Sequence, residues 1–253
     1  MNYKNTLKSI FYYIEPILIF FLRILFPAKN KNYKNIPIII NSYNRLSYIV
    51  EITSYLTDRG YKNIYIIDNA STYPPLLDFY KKCPFRIFFL NENVGHLSLW
   101  KSGLYKKFIR DYYVYTDPDV IPIKECPEDF LLHFQNTLRK YKEVKKVGFS
   151  LKIDDIPDNY AQKRQVIEWE SLHYKNKIGN DYYLAPIDTT FALYRPWAWG
   201  GVNERYKNLR TEYPYTAKHL PWYEDSANLS DESLFYIKTI KKSTHWSKLN
   251  QLV

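Results

Sequence analysis

The stretch YYVYTDPDVIPI, residues 112–123, begins as an aromatic, β-branched run. It stops on two aspartates, Asp117 and Asp119, one residue apart around Pro118. Aromatic and β-branched residues suit a pleated, buried surface, so the run reads as a strand and the acidic pair as its exit. Three earlier segments repeat the arrangement. NIPIIINSYNR (35–45) is a short apolar run ending in polar residues, KNIYIIDNAST (62–72) ends in Asp68 and Asn69, and FRIFFLNENVGH (85–96) ends in a polar loop. Helical patterns separate them: RLSYIVEITSYLTDRG (45–60) with a glycine stop, PPLLDFYKKC (74–83) with prolines at its start, and LSLWKSGLYKKFIR (97–110). Strands alternating with helices predict an α/β fold, a mostly parallel sheet flanked by helices with right-handed crossovers. Ligands of such sheets bind outside the carboxyl ends of the strands. All four polar clusters, NSYNR, DNAS, NENVGH and DPD, fall there.

Taken alone, an Asp-x-Asp around proline is an ordinary acidic turn, because Asp and Pro both favour turns. This pair instead follows an aromatic strand and lines up with three other polar strand ends. Two carboxylates so close repel each other unless a cation lies between them. Oxygen ligands without a nearby cysteine select Mg²⁺ or Mn²⁺, ions that complete their shell with water and phosphate oxygens.

Composition bounds the rest. The 253 residues suffice for one large α/β domain or two small ones, and 46% hydrophobic against 25% charged residues supports a full core rather than disorder. A net charge of +10 fits a phosphorylated substrate, an anionic membrane surface or nucleic acid. No helical pattern gathers Lys and Arg on one face, which argues against nucleic acid. Aromatics reach 18%, 26 of them tyrosine. Polar-tipped rings at that density suit a membrane interface or stacking on sugars and bases, and an AT-rich coding sequence accounts for them equally well. Cys83 and Cys126 each precede a proline, lack metal-ligand spacing and read as reduced, unbridged residues of a cytoplasmic protein.

The N-terminal segment differs. IFYYIEPILIFFLRILFP (10–27) is apolar, yet Glu15, Pro16 and Arg23 interrupt it, so it does not read as a spanning helix. FPAKNKNYKN is a poor cleavage site for a signal peptide. Lys4, Lys8, Lys29, Lys31 and Lys34 flank the run. That pattern predicts a helix in the membrane interface, peripheral on the inner face of the cell membrane, with a helix packed on the domain as the alternative.

The motifs NSYNR, IIDNAST, NENVGH and TDPDV, in this order across residues 36–122, resemble those of glycosyltransferases with the GT-A fold, broadly family 2 of bacterial nucleotide-sugar transferases. The motifs are individually short, and their joint order carries the likeness. The resemblance implies that Ser42, Tyr43 and Arg45 line a nucleotide pocket and that Asp68, beside Asn69, meets the base or ribose. Asn93, Gly95 and His96 would frame the nucleotide-sugar. Asp117 and Asp119 would hold Mn²⁺ or Mg²⁺ against the diphosphate, with Asp119 the more direct ligand. With residues 1–34 read from their pattern as the membrane-associating segment, it implies 35–253 as the transferase domain, split into a nucleotide-sugar half (35–125) and an acceptor half (126–253). The activity implied is metal-dependent transfer of a hexosyl group from a nucleotide-diphosphate-sugar to a hydroxyl of a glycan or lipid-linked acceptor, as in synthesis of lipopolysaccharide, capsule or another surface polysaccharide.

Beyond residue 125 the likeness fades, and the usual sequence around the catalytic base is absent. YYLAPIDTTFALYRPWAW (182–199) reads as a strand opened by Asp188, and NLRTEYPYTAKHLPWYEDSANLSDES (208–233) as a loop rich in Arg, His, Trp and Tyr. Asp188 is the first choice for the base, because a carboxylate at a strand end is rigidly placed. Asp225 is second, and Glu212 is held in reserve. His245, in STHWS, falls where such enzymes often set a histidine on the metal, and His219 is a further candidate. Trp197, Trp199, Trp222 and Tyr223 are candidate sugar-stacking walls or ordinary packing. Two other classes remain: a nucleotidyltransferase using paired carboxylates and Mg²⁺, and a non-catalytic, membrane-associated carbohydrate-binding protein.

Overall fold

The protein is seen in a computed structural model that describes residue 14 and residues 17–30, 32–188, 190–200 and 207–240. Helix α1 comprises residue 14 and residues 17–25. Ten strands follow: β1 (Ile38–Ser42), β2 (Ile64–Asp68), β3 (Arg86–Phe89), β4 (Tyr113–Thr116), β5 (Val120–Pro122), β6 (Val144–Leu151), β7 (Lys177–Ile178), β8 (Tyr182–Leu184), β9 (Ala192–Tyr194) and β10 (Lys207–His219). They join in one sheet of order β3-β2-β1-β4-β9-β6-β10-β8-β7, with β5 against the end of β10. Strands β3, β2, β1 and β4 are mutually parallel, as the sequence pattern predicts. Beyond β4 the sheet is mixed: β9 runs antiparallel to β4 and β6, while β10 runs parallel to β6 and antiparallel to β5 and β8.

Strand β1 is buried along its whole length, which is why it reads as an unbroken apolar run. Its side chains alternate between two cores. Ile38 and Ile40 face helices α2 (Leu46–Asp58), α3 (Pro74–Tyr80) and α5 (Phe130–Lys140), while Ile39 faces Leu99, Trp100, Phe108, Tyr113 and Tyr115. The second face is thinly covered, by α4 (Ser98–Lys101) and a 3-10 turn at Leu104–Lys107. The single helix expected over 97–110 is broken at Gly103, whose φ of +77° is left-handed.

Two expectations in the second half are corrected. Residues 182–199 form two strands, β8 and β9, and Asp188 lies exposed in the coil between them rather than opening a strand. Pro186 lacks an N–H, and the carbonyls of residues 186–188 are taken by side chains instead of a neighbouring strand. Of the loop expected over 208–233, residues 208–219 instead belong to β10, the longest strand among the described residues. Its Pro214 is tolerated because the β6–β10 register is irregular between Thr211 and Thr216. Helices α6 (Lys163–Ser171) and α7 (Asp231–Thr239) complete the fold. Both cysteines are free, as expected.

Candidate active site at the strand ends

At the carboxyl end of β1 the backbone turns through Asn44, whose φ of +50° is left-handed. Its side chain makes this conformation tenable. Oδ1 accepts from the N–H groups of Thr72 (2.7 Å) and Tyr73 (3.0 Å) after β2, and Nδ2 donates to Thr239 Oγ1 in α7 (2.9 Å). Strand end β1 is thereby tied to β2 and to the C-terminal helix. Ser42 lies opposite Asp68 in the register, fully buried, and accepts a hydrogen bond from Tyr80 (2.8 Å).

The diaspartate is held from beneath. Asn41 Nδ2 donates to Asp117 Oδ1 (3.1 Å), Ser98 Oγ donates to Asn41 Oδ1 (2.7 Å), and Tyr115 Oη lies 3.1 Å from the same serine hydroxyl. This buried chain fixes Asp117 at the end of β4. Asp119 sits beyond Pro118, where β5 meets the end of β10. Its carbonyl accepts from Leu220 N–H (2.8 Å), and its Oδ2 lies 3.5 Å from His219 Nε2. Its Oδ1 is buried and meets no donor, and neither does His219 Nδ1. An orphaned carboxylate oxygen costs desolvation energy unless a ligand completes it. Among the described residues no three His, Cys, Asp or Glu side chains gather to cage a metal by themselves. The donor set therefore fits a hard ion that takes one or two carboxylates and fills its shell with water and phosphate oxygens. It does not fit a closed structural site. His245 lies outside the described residues.

Arg45 is buried beside this pair. It donates to Ser233 Oγ (2.7 Å) and pairs with Glu224 Oε1 (3.3 Å), between the rings of Tyr48 and Tyr236. Tyr48 and Ser233 also donate to Glu224 Oε1. Tyr236 reaches over the site. Burial, then the charge of Asp119, push its hydroxyl up to about 12, with Asp117 adding to the effect. Tyr43 donates to the carbonyl of Thr239 (2.8 Å), so α7 lies across the loop in which the nucleotide contacts are expected.

On the other flank, Asp68 is buried and accepts from Ser71 N–H (3.1 Å), while its Oδ1 has no partner. Burial raises its pKa. Asn69 staples the NENVGH loop: Oδ1 accepts from Val94 N–H (2.9 Å) and Nδ2 donates to Gly95 O (3.0 Å). Asn93 accepts from Gly95 N–H (2.9 Å). Gly95 has a φ of +83°, which explains the glycine. Tyr115 donates to the carbonyl of His96, whose ring stays exposed.

The second half places its candidates unequally. Asp188 is exposed, on a segment clamped from below: Arg210 Nε donates to Pro186 O (2.9 Å), and Lys146 Nζ donates to Ile187 O (2.5 Å) and Asp188 O (3.1 Å). Burial raises the pKa of Tyr194 well above its ordinary value, with smaller contributions from Tyr113 and Tyr115 and then from Asp188 and Asp117. Asp225 is turned outward and caps a turn, accepting from Ala227 N–H (2.9 Å) and Asn228 Nδ2 (2.8 Å). Its neighbour Glu224 is the carboxylate that faces the strand ends. Glu212 is engaged by Lys177 (2.9 Å) and Tyr183 on the far side of β10. Trp222 is buried against His219, with ring centres 4.7 Å apart, so it is packing rather than a wall. Trp197 and Trp199 pack on Phe26 and Tyr105, and Tyr223 donates to Asp155 (2.5 Å).

Two site residues escaped the sequence reading, and a third, Glu224 of the YED stretch (223–225), stood there only behind its neighbour. Asn41 and Asn44 lie inside the quoted NSYNR motif, but a strand-end asparagine carries no mark of what it will bond. Glu224 was passed over for Asp225, and only the turn after β10 decides which of the two points inward. Fold and site together define an α/β protein with a mixed sheet, four polar loops at the carboxyl ends of its parallel strands, and a carboxylate pair among them. No family model matches the chain, and comparison with curated proteins returns no match.

Proposed function

We propose that this protein is a metal-dependent glycosyltransferase of GT-A type, moving a sugar from a nucleotide-diphosphate-sugar to a hydroxyl of a glycan or lipid-linked acceptor. One observation carries the reading. Asp119, beside Asp117 and His219 at the meeting of β4, β5 and β10, keeps a buried carboxylate oxygen without a donor, at the sheet edge where α/β folds bind ligands. A divalent ion bound there by Asp117 and Asp119 would offset charge developing on the leaving diphosphate. Asn41 orients Asp117, while Asp68, Asn69 and the loop around Gly95 frame the nucleoside. Asp188, on its clamped segment, takes the proton of the acceptor hydroxyl as that oxygen attacks the anomeric carbon and the bond to the diphosphate oxygen breaks. The basic surface favours approach of the anionic donor.

The test is a panel of nucleotide-sugars with Mn²⁺, read by thermal stabilisation and by release of nucleoside diphosphate. A donor at a hundred times its dissociation constant adds about 2.7 kcal/mol to folding stability. Asp119→Ala should abolish the Mn²⁺-dependent part of that stabilisation and the turnover, with an unchanged melting temperature without ligand. Full activity in Asp119→Ala, or in wild type with excess chelator, overturns the metal assignment. Release of inorganic diphosphate instead points to nucleotidyl transfer.

A further inference from the structure

We propose that the protein seats on an anionic lipid surface through a composite face, made of α1 and the thinly covered side of the sheet. The helix itself supplies the first argument. One stripe docks on the domain: Ile19 is buried, Arg23 Nε donates to Pro196 O (3.0 Å), and just past the helix the half-exposed Phe26 packs on Trp197 at 6.0 Å between ring centres. The spacing 19, 23, 26 is helical. In a water-facing helix the opposite stripe is polar. Here Ile17, Phe20, Phe21 and Ile24, at i, i+3, i+4 and i+7, are each 54–59% exposed, and Leu25 is 68% exposed. A continuous apolar stripe of this kind marks a contact surface.

The surroundings decide what covers it. The helix is pinned to the segment after α4: Asp111 accepts from the N–H groups of Lys29 and Asn30 (2.9 Å each), and Trp197 N–H donates to Ile109 O (2.6 Å). The same segment exposes Lys106, Lys107 and Arg110, and Lys29 is exposed beside them. Trp199, 43% exposed, packs on Tyr105 at 4.6 Å between ring centres. An apolar stripe rimmed by tryptophan, tyrosine and cations is the composition of a bilayer's interfacial layer. A second copy of the chain is disfavoured as occupant, because a two-fold contact sets each cation rim against its own kind. Among the described residues no helix is long and apolar enough to cross a membrane. Docked along the domain through Ile19 and Arg23, α1 presents its apolar stripe sideways, as a helix lying in the plane of the surface does. This inference stands apart from the chemistry at the strand ends and survives if sugar transfer is wrong.

The full chain is sedimented with vesicles of phosphatidylcholine, with and without phosphatidylglycerol, at low and high salt. Expected is strong binding to the anionic vesicles, weakened by salt. Lys106→Gln with Lys107→Gln should lose about fivefold per cation on anionic vesicles, or about 25-fold for the pair. Phe20→Glu should lose more than about tenfold on both vesicle types. Both sites are exposed, so circular dichroism melting should match wild type. As a readout independent of sedimentation, bromine-labelled lipid should quench tryptophan fluorescence in wild type and less in Trp199→Phe. Wild type that stays in the supernatant with both vesicles and is not quenched overturns the proposal. So does wild type that forms dimers in sedimentation equilibrium which Phe20→Glu dissociates and anionic vesicles do not.

Discussion

In the parallel half of the sheet the loops are held by asparagines. Asn41 reaches Asp117, Asn44 bridges two loops and α7, and Asn69 clasps the NENVGH turn. In the mixed half they are held by buried cations. Arg195 caps the C-terminal end of α5, donating to the carbonyls of Leu138, Tyr141 (2.8 Å) and Val144 (2.8 Å). Lys146 and Arg210 take the three consecutive carbonyls of residues 186–188. The contrast follows from what each loop offers. A crossover loop presents both N–H and C=O groups, and an amide side chain answers both without charge, as Asn69 does with Val94 N–H and Gly95 O. A helix end or an extended coil presents carbonyls alone, and a cation answers several at once. The second solution costs more. Arg210 has Glu170 as counter-ion, whereas Lys146 and Arg195 are hydrogen-bonded to neutral oxygens, and burial lowers the pKa of both. Such expense suits a segment that has to be rigid.

The sharpest way to break the comparison is Asp188→Asn. If the cation-held segment exists to fix a base, the substitution keeps its shape and removes the proton acceptor. Turnover should fall by about 10²–10⁴-fold, with donor affinity and melting temperature nearly unchanged. A fall below tenfold breaks the link between the clamp and the chemistry.

A middle-sized effect is expected where the turn after β10 meets the asparagine-held half, through Glu224 and Arg45. Glu224→Gln leaves buried Arg45 without its counter-ion and weakens the bonds from Tyr48 and Ser233. Hydrogen bonds to charged groups contribute about 1.5–3 kcal/mol each, so stability should drop by about 2 kcal/mol, seen as a lower urea midpoint with an unchanged slope. Donor affinity should weaken as well, because α7 and Arg45 lose their common anchor. An unchanged midpoint would show that the site is organised by the asparagines alone.

These two halves were not equally legible. Strands β1, β2 and β4 could be read because a parallel strand buried on both faces is an unbroken apolar run, and its polar exit marks the functional edge. Asp117 and Asp119 announced themselves by spacing. The mixed half gave no such signal. Its strands do not alternate cleanly: β10 carries Arg210 facing inward, Pro214 at an irregular register and Tyr213 exposed, so its pattern reads as a loop. The buried cations were invisible for a plainer reason. Lys and Arg are nearly always exposed, and nothing local distinguishes Lys146, which is buried, from exposed Lys142 four residues earlier.

An effect of similar size, visible only as a pH dependence, is expected from Lys146→Met. Burial lowers the Lys146 pKa from its ordinary 10.5 to about 7. Between these values the unfolded chain binds more protons than the folded one, so stability rises with pH through that window. Below pH 7 the cost of burying the charge is present in full. One group contributes at most about 1.4 kcal/mol per pH unit. Urea midpoints at pH 7 and pH 9, below the range of tyrosine titration, should therefore rise more in wild type than in Lys146→Met. Parallel changes would mean that Lys146 keeps its proton and that the three oxygens around it repay the burial.

The smallest effect separates two adjacent residues, Glu224 and Asp225. Asp225 is tied to Asn228 and to the N–H of Ala227, and these bonds, from Asn228 first, lower its pKa. A depressed carboxylate contributes stability that is present above its solution pKa of 3.8 and is lost as pH falls through the folded value. Its side chain faces water, so screening keeps that contribution small. Asn in its place still accepts from Ala227. Asp225→Asn should therefore leave turnover within about twofold and the melting temperature at pH 7 within about 1 °C, as for surface changes away from special features. The same substitution type at Glu224 should be felt in both measurements. If Asp225→Asn is inactive with normal melting, the turn it caps is not its purpose. The proton acceptor then lies after β10, and the cation clamp beneath Asp188 serves the fold rather than the reaction.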